Sequence, residues 1–146
     1  MAALLDVNAL IALVDSDHIG HQAIRKWFTA NHKSGWATCP LTENGMVQVL
    51  SQETYPSGKR TPAEVIQVLN ALKAAFQDSY QFWPDDISLA DSAIFDSTLV
   101  AGARQVTDVY LVGLAAKQKG TFVSFDRSLA WQAVRGASAR MVRHPG

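Results

Sequence analysis

Leu4-Leu5-Asp6-Val7-Asn8 places a charged side chain between two apolar segments near the start of the chain. Residues 2–5 form an apolar run that is too short for a helix and is bounded like a buried strand. Residues 8–14 then have the pattern of a helix. A carboxylate that directly follows a buried strand is difficult to leave solvated, so its charge needs compensation. The stretch therefore predicts a strand that passes into a helix, with Asp6 at the carboxyl end of the strand.

The rest of the chain continues this alternation of short strands and helices. Further strands are predicted at residues 36–38, 82–83, 121–125 and 139–142. Helices are predicted at residues 19–31, 40–52, 92–99, 107–120 and 127–134, and an amphipathic helix begins after Thr61-Pro62. Without hairpin turns between the strands, this order predicts an α/β fold with a mainly parallel sheet covered on both faces. We expect residues 1–146 to form a single domain.

Composition restricts the class of protein. The chain is 48% apolar and 18% charged, as ordinary globular domains are. Cys39 is the only cysteine, which excludes an internal disulfide and a multi-cysteine zinc site. No segment approaches the roughly 18 uninterrupted apolar residues of a membrane span, and Asp6 interrupts the apolar N-terminus. We expect a cytoplasmic protein without membrane contact, and a disordered His144 next to the C-terminus.

Four carboxylates follow or open apolar elements, namely Asp6, Glu43, Asp108 and Asp126. Each has an ordinary explanation when it is taken alone, because an acid in the first turn or at the N-cap stabilises a helix. Ligands of open parallel sheets, however, lie beyond the carboxyl ends of the strands, and all four acids are predicted at that edge. Gathered there, they would repel one another unless they share protons or bind a hard cation such as Mg²⁺ or Mn²⁺. Such a centre points to phosphate chemistry.

Basic residues are distributed unevenly although the formal net charge is zero. Residues 78–103 contain five aspartates and no Lys or Arg, whereas the chain after Asp126 has four arginines and no acid. This tail is either a solvated surface or a positive rim for a polyanion. Arg104 and Arg127 flank the acids, where they would either contact phosphates or form ion pairs with the carboxylates.

The ordered set of these residues resembles the PIN domain, and specifically the VapC ribonuclease toxins of toxin-antitoxin systems. The residues that carry the resemblance are Asp6-x-Asn8, Glu43, Arg104-Gln105-Val106-Thr107-Asp108-Val109-Tyr110-Leu111 and Ser124-Phe125-Asp126-Arg127. They extend over nearly the whole chain. Ser124 stands where many relatives have threonine, and both residues offer one hydroxyl.

The resemblance implies a three-layer α/β/α domain with five strands in the order 3-2-1-4-5. It also implies that Mg²⁺ or Mn²⁺ is bound by Asp6, Glu43, Asp108 and Asp126 and that Asn8, Thr107 and Ser124 orient these carboxylates. The implied activity is metal-dependent endoribonuclease cleavage of RNA phosphodiester bonds. The implied partners are the RNA substrate, a cognate VapB-like antitoxin that inhibits the enzyme, and a second copy in a homodimer.

Two other functions agree with the same residues. A non-catalytic PIN-like or receiver-like module would use the acids only to organise a surface that binds another protein. A structure-specific DNA nuclease of the same superfamily would cut flaps in preference to RNA. Metal-dependent cutting of RNA by the purified protein distinguishes the ribonuclease from both alternatives.

Overall fold

The computed structural model describes residues 1–146 and contains one five-stranded sheet. The strands are β1 (Ala3–Leu5), β2 (Trp36–Thr38), β3 (Tyr80–Phe82), β4 (Thr121–Val123) and β5 (Val142–Arg143). They lie in the order β3-β2-β1-β4-β5, and every neighbouring pair is parallel. The predicted α/β class and the 3-2-1-4-5 order are therefore confirmed.

Five helices cover the sheet. They are α1 (Val7–Val14), α2 (His21–Asn31), α3 (Pro40–Leu50), α4 (Pro62–Ala75) and α5 (Val106–Lys117). Successive residues of β1 point to opposite faces of the sheet, as a strand requires. Leu5 packs with the buried residues of α1 to α4, whereas Leu4 packs with those of α5 and of the segments around it. These two apolar clusters confirm the predicted three layers.

The central strand determines where the candidate site lies. β1 pairs with β2 on one side and with β4 on the other, so the strand order reverses between β1 and β4. In open parallel sheets, the carboxyl edge at such a reversal is where ligands bind. Asp6 follows β1 directly and Ser124 follows β4 directly, so both residues lie at this edge of the sheet.

Two predicted helices are wrong. Residues 92–99 form turns and the short 3₁₀ helix Ser97–Leu99, and residues 127–134 form turns and the short 3₁₀ helix Trp131–Ala133. The backbones of the two segments pair with each other instead, through an antiparallel bridge between Phe95 and Val134. Aspartate side chains also accept hydrogen bonds from backbone N–H groups two residues later. Asp91 accepts such a bond from Ala93, and this local bonding competes with helix formation.

Several element boundaries differ from the predicted ones. The third strand covers Tyr80–Phe82 instead of residues 82–83, and the last strand is shortened to Val142–Arg143 by a preceding 3₁₀ turn. Helix α5 begins at Val106, so Thr107 lies within its first turn and does not cap it. No helix of the structure is both long enough and apolar enough to span a bilayer.

Candidate functional site

Asp6 occupies the N-cap of α1 directly beyond β1. Its Oδ1 atom accepts a hydrogen bond from the backbone N–H of Val7 at 2.8 Å, and its Oδ2 atom accepts one from Ser124 Oγ at 2.7 Å. The residue is only 5% exposed. Burial raises the pKa of Asp6, and the charge of Asp126 adds to this rise, while the two hydrogen bonds oppose it. The fold thus holds a carboxylate rigidly in a place where its charge is unfavourable.

Ser124 connects the ends of β1 and β4 through its side chain. Its hydroxyl donates to Asp6 and accepts hydrogen bonds from Asn8 Nδ2 at 3.4 Å and from the backbone N–H of Asp126 at 3.0 Å. Asn8 Oδ1 in turn accepts from the backbone N–H of Phe125 at 3.3 Å. Ser124 is fully buried, and a hydroxyl can donate once and accept twice, as it does here. Asn8 and Ser124 therefore fix the position of Asp6 and of the loop that carries Asp126.

Asp108 and Asp126 complete a group of three coupled aspartates with Asp6. Burial, the charge of Asp6 and a hydrogen bond with Asp126 raise the pKa of Asp108 to about 7. Hydrogen bonds from Ser128 have the opposite effect and lower the pKa of Asp126. Ser128 supplies its hydroxyl at 2.7 Å and its backbone N–H at 2.9 Å, both to Asp126 Oδ1. Asp108 is thus the acid of this group that keeps a proton near neutral pH.

Glu43 lies in the first turn of α3, but its contacts differ from those of the three aspartates. Its Oε2 atom is 2.7 Å from Lys73 Nζ and accepts a hydrogen bond from Thr38 Oγ1 at 2.6 Å. Tyr80 donates a longer hydrogen bond of 3.4 Å to the same oxygen. Glu43 is not among the charges that raise the pKa of Asp6 or Asp108. The structure therefore brings together three of the four predicted carboxylates and pairs the fourth with a lysine.

The three aspartates offer the oxygen ligands that a hard divalent cation prefers. Burial and the charges of Asp6 and Asp126 raise the pKa of Asp108, and a bound cation would offset both effects. No three Asp, Glu, His or Cys side chains stand close enough in this structure to form a ready-made metal site. The donor set fits a magnesium or manganese ion in its chemistry, and the side chains would have to move to close around the ion.

The remaining predicted residues lie outside this network. Thr107 is exposed and its side chain makes no hydrogen bond, so it does not orient a carboxylate here. Arg104 and Arg127 are exposed, and neither belongs to any of the four ion pairs of the protein. The alternative that these arginines pair with the carboxylates is therefore not observed. Both guanidinium groups are available to an anionic ligand.

Three residues at or near the site were not predicted from the sequence. His144 is half-buried and its Nδ1 atom lies 2.8 Å from the carbonyl oxygen of Ser124, so the expectation of a disordered His144 is wrong. Ser128 holds Asp126, and Lys73 holds Glu43. The Asp126-Arg127-Ser128 spacing could have indicated the contact between Ser128 and Asp126, since an Asp side chain often bonds to the residue two positions later. No local pattern marks Lys73 or His144.

The chain is similar in sequence to known proteins over most of its length. The PIN domain family model matches residues 3–134. The chain is 44% identical to ribonuclease VapC44 of Mycobacterium tuberculosis over 139 residues, which cover 94% of this chain and 95% of that protein. It is 42% identical to ribonuclease VapC39 of the same organism over 136 residues, which cover 93% and 96% of the two chains.

Solved structures of low sequence identity share the fold. VapBC2 from Rickettsia felis, crystallised with a DNA fragment from its promoter, superposes with a TM-score of 0.65 at 9% identity and covers 100% of both chains. The sarcin-ricin loop cleaving toxin VapC20 of Mycobacterium tuberculosis gives a TM-score of 0.60 at 11% identity, with 92% of this chain and 98% of that chain covered.

Proposed function

Because the chain belongs to the PIN domain family and, within it, to the VapC ribonucleases, we propose that it is a metal-dependent endoribonuclease that hydrolyses RNA phosphodiester bonds. The observation that carries this proposal is the group of three coupled aspartates, Asp6, Asp108 and Asp126, at the point where the strand order reverses. Residues 1–146 act as one nuclease domain in this proposal. The cytoplasm is the proposed location of this activity.

The proposed metal ligands are Asp6, Asp108 and Asp126, with Glu43 as a fourth carboxylate. A bound Mg²⁺ or Mn²⁺ would supply a more acidic water and stabilise charge on the phosphate oxygens. The protein's own residues prepare the site for this ion. Ser124 and Asn8 keep Asp6 in place, and Ser128 keeps Asp126 ionised. Asp108 would lose its proton when a cation is bound beside it. Its pKa of about 7 makes this loss easy near neutral pH.

RNA cleavage by the purified protein tests this function. Wild-type protein with Mn²⁺ is expected to cut RNA, and the same protein with EDTA is expected to leave it intact. DNA flap substrates in parallel reactions identify the alternative DNA nuclease. Metal-dependent cutting of flaps without cutting of any RNA would contradict the proposal, and so would the absence of all cutting.

Arg104 and Arg127 are the proposed contacts to RNA phosphates. We expect Arg104→Ala and Arg127→Ala each to weaken binding of all RNA sequences alike and to reduce the slope of log K against log salt by about 1. The readout is fluorescence anisotropy with an inactive Asp6→Asn protein at several salt concentrations.

Lys59→Ala is the matched control for this experiment. Lys59 is an exposed cation paired with Glu53, in the loop that contacts Asp15 at the opposite end of α1 from Asp6. An unchanged salt slope in both arginine variants, or an equal change in the lysine variant, would exclude the proposed phosphate contacts.

A VapB-like antitoxin is the proposed inhibitory partner, and a homodimer is the proposed assembly. A groove of about 530 Å³ between α3 and α4 offers a surface for a partner. Val47, Ile66 and Leu69 line it, and Ile66 is 45% exposed. The groove continues to Glu43, so a partner seated there could extend a basic side chain towards the acidic site. Met46 and Leu50 of α3 are buried in the core and do not belong to this surface.

A further inference from the structure

Lys73 on α4 forms an ion pair with Glu43, the predicted carboxylate that lies apart from the three aspartates. The Lys73 ammonium lies 2.7 Å from Glu43 Oε2 and also faces two aromatic rings, at 5.3 Å from the centroid of Tyr80 and 5.6 Å from the centroid of Phe82. The side chains of Lys73 and Glu43 are only 25% and 19% exposed. An ion pair this shielded from water is screened less than a surface pair.

The surroundings of Lys73 hold its charge in place. Burial disfavours the ammonium, but hydrogen bonds with Glu43 and Tyr80 outweigh burial and raise the pKa of Lys73. The two aromatic rings add cation–π attraction. Thr38 binds both the Tyr80 hydroxyl and Glu43, each at 2.6 Å, which closes the network. Lys73 is thus a fixed cation, unlike a mobile surface lysine.

We propose that Lys73 is an internal competitor of the metal ion that holds Glu43 out of the three-aspartate site. The proposal rests on the function proposed above, since it assumes that Asp6, Asp108 and Asp126 bind the ion. In the resting protein the ion has three carboxylates available. Glu43 becomes a ligand only when it leaves Lys73, so the ion pair sets the metal affinity of the site. Lys73 is a positioning residue in this account, because it acts through Glu43.

Lys73 could affect metal binding through its charge alone or by competing with the ion for Glu43. A double-mutant cycle of Lys73 and Glu43 distinguishes the two effects. If Lys73 merely adds a positive charge near the site, Glu43→Gln weakens metal binding by the same factor with and without Lys73. If Lys73 withholds Glu43, the loss of Glu43 has little effect while Lys73 is present and a large effect once Lys73 is gone. The difference between the two factors is the coupling between the residues.

The experiment measures Mn²⁺ affinity by calorimetry in wild type, Glu43→Gln, Lys73→Met and the double variant. Methionine keeps the length and apolar contacts of the lysine stem without its charge. We expect Lys73→Met to bind Mn²⁺ about tenfold more tightly and Glu43→Gln to change the affinity by less than about threefold. In the Lys73→Met background, Glu43→Gln is expected to remove the tenfold gain.

Two controls accompany the cycle. Lys73→Arg keeps a cation beside Glu43 and is expected to retain the wild-type affinity. Lys117→Met removes a lysine from an ion pair of similar length, 2.6 Å to Asp86, whose carboxylate is not a proposed ligand, and is expected to leave the affinity unchanged. Melting curves without metal show that each variant is folded.

If Glu43→Gln changes the Mn²⁺ affinity equally in the wild-type and Lys73→Met backgrounds, the proposed competition between Lys73 and the ion is wrong. Weaker Mn²⁺ binding by Lys73→Met would also overturn it, because Lys73 would then orient Glu43 towards the ion. In both cases wild type still binds Mn²⁺, so the proposed function stands. If wild type and Lys73→Met both fail to bind Mn²⁺, the proposed function and this inference fail together.

Discussion

The Asp108→Asn variant is expected to lose RNA cleavage and to become more stable than the wild type in metal-free buffer at pH 8. Asparagine keeps the shape of the side chain but removes the charge that a cation needs. We expect cleavage to fall by about a thousandfold or more, which corresponds to about 4 kcal/mol of activation free energy. The variant is also expected to gain stability because the charge of Asp108, which would bind the ion, is unfavourable in the folded protein when no ion is present.

The sign of the stability change follows from the pKa of Asp108. It is about 7 in the folded protein and has an ordinary value of 3.8, so the folded state binds the proton more tightly than the unfolded chain. Ionisation of Asp108 therefore destabilises the fold increasingly between about pH 4 and pH 7 and fully above pH 7. Asparagine cannot ionise, and we expect a gain of about 2 kcal/mol at pH 8, which is less than the roughly 4 kcal/mol of the full pKa difference because water screens the partly exposed Asp108, and little gain at pH 4.

Urea unfolding with EDTA at pH 4 and pH 8 measures this difference, and RNA cleavage with Mn²⁺ measures the loss of activity. Asp78→Asn is the matched control, because it removes the same charge from an exposed turn. Asp108→Asn with wild-type stability at pH 8 would show that the three carboxylates do not repel one another as described.

Asp15→Ala is expected to lower the free energy of unfolding by about 3 kcal/mol without involving the site. Asp15 is buried at the end of α1, where its Oδ2 atom accepts hydrogen bonds from the Tyr55 and Ser57 hydroxyls, both at 2.6 Å. Arg60 lies 4.0 Å from its other oxygen. Alanine would leave these donors without their acceptor, which is the costly way to lose a buried hydrogen bond.

Burial alone would raise the pKa of Asp15, but the hydrogen bonds from Ser57 and Tyr55 outweigh it and lower the pKa. A lowered pKa means that the stabilisation is complete above the ordinary value of 3.8 and is lost as the pH falls through the folded-state value. Urea unfolding from pH 7 to pH 2 should therefore show a difference between wild type and Asp15→Ala that shrinks in acid. A difference that is constant with pH would assign the effect to packing instead of charge.

The sequence allowed the fold to be predicted where its signals are local. The short apolar runs before Asp6 and before Ser124 mark buried strands whatever surrounds them, and their order with helices indicates a parallel sheet. The helices expected at residues 92–99 and 127–134 failed because the two segments pair with each other across about 40 residues of sequence. A local pattern of apolar residues does not distinguish such a pairing from a helix.

The candidate site shows the same division. Asp6, Asp108 and Asp126 come together because strand ends and helix starts in a parallel sheet share one edge, which is a consequence of topology. Glu43 begins its helix at that edge too, but Lys73, 30 positions later in the chain, determines its contacts. Such a pairing depends on how α4 packs beside α3, and nothing in the residues around Glu43 encodes it.

RNA cleavage by Asp6→Asn beside wild type in Mn²⁺ is the most direct test of the central claim. Asparagine Oδ1 can still accept the hydrogen bond from the Val7 N–H and cap α1, while the negative charge and the hydrogen bond from Ser124 are lost. The three-aspartate site predicts that wild type cuts RNA and that Asp6→Asn, folded by its melting curve, cuts at a rate lower by about a thousandfold or more. Metal-dependent cutting by Asp6→Asn at the wild-type rate would contradict the site.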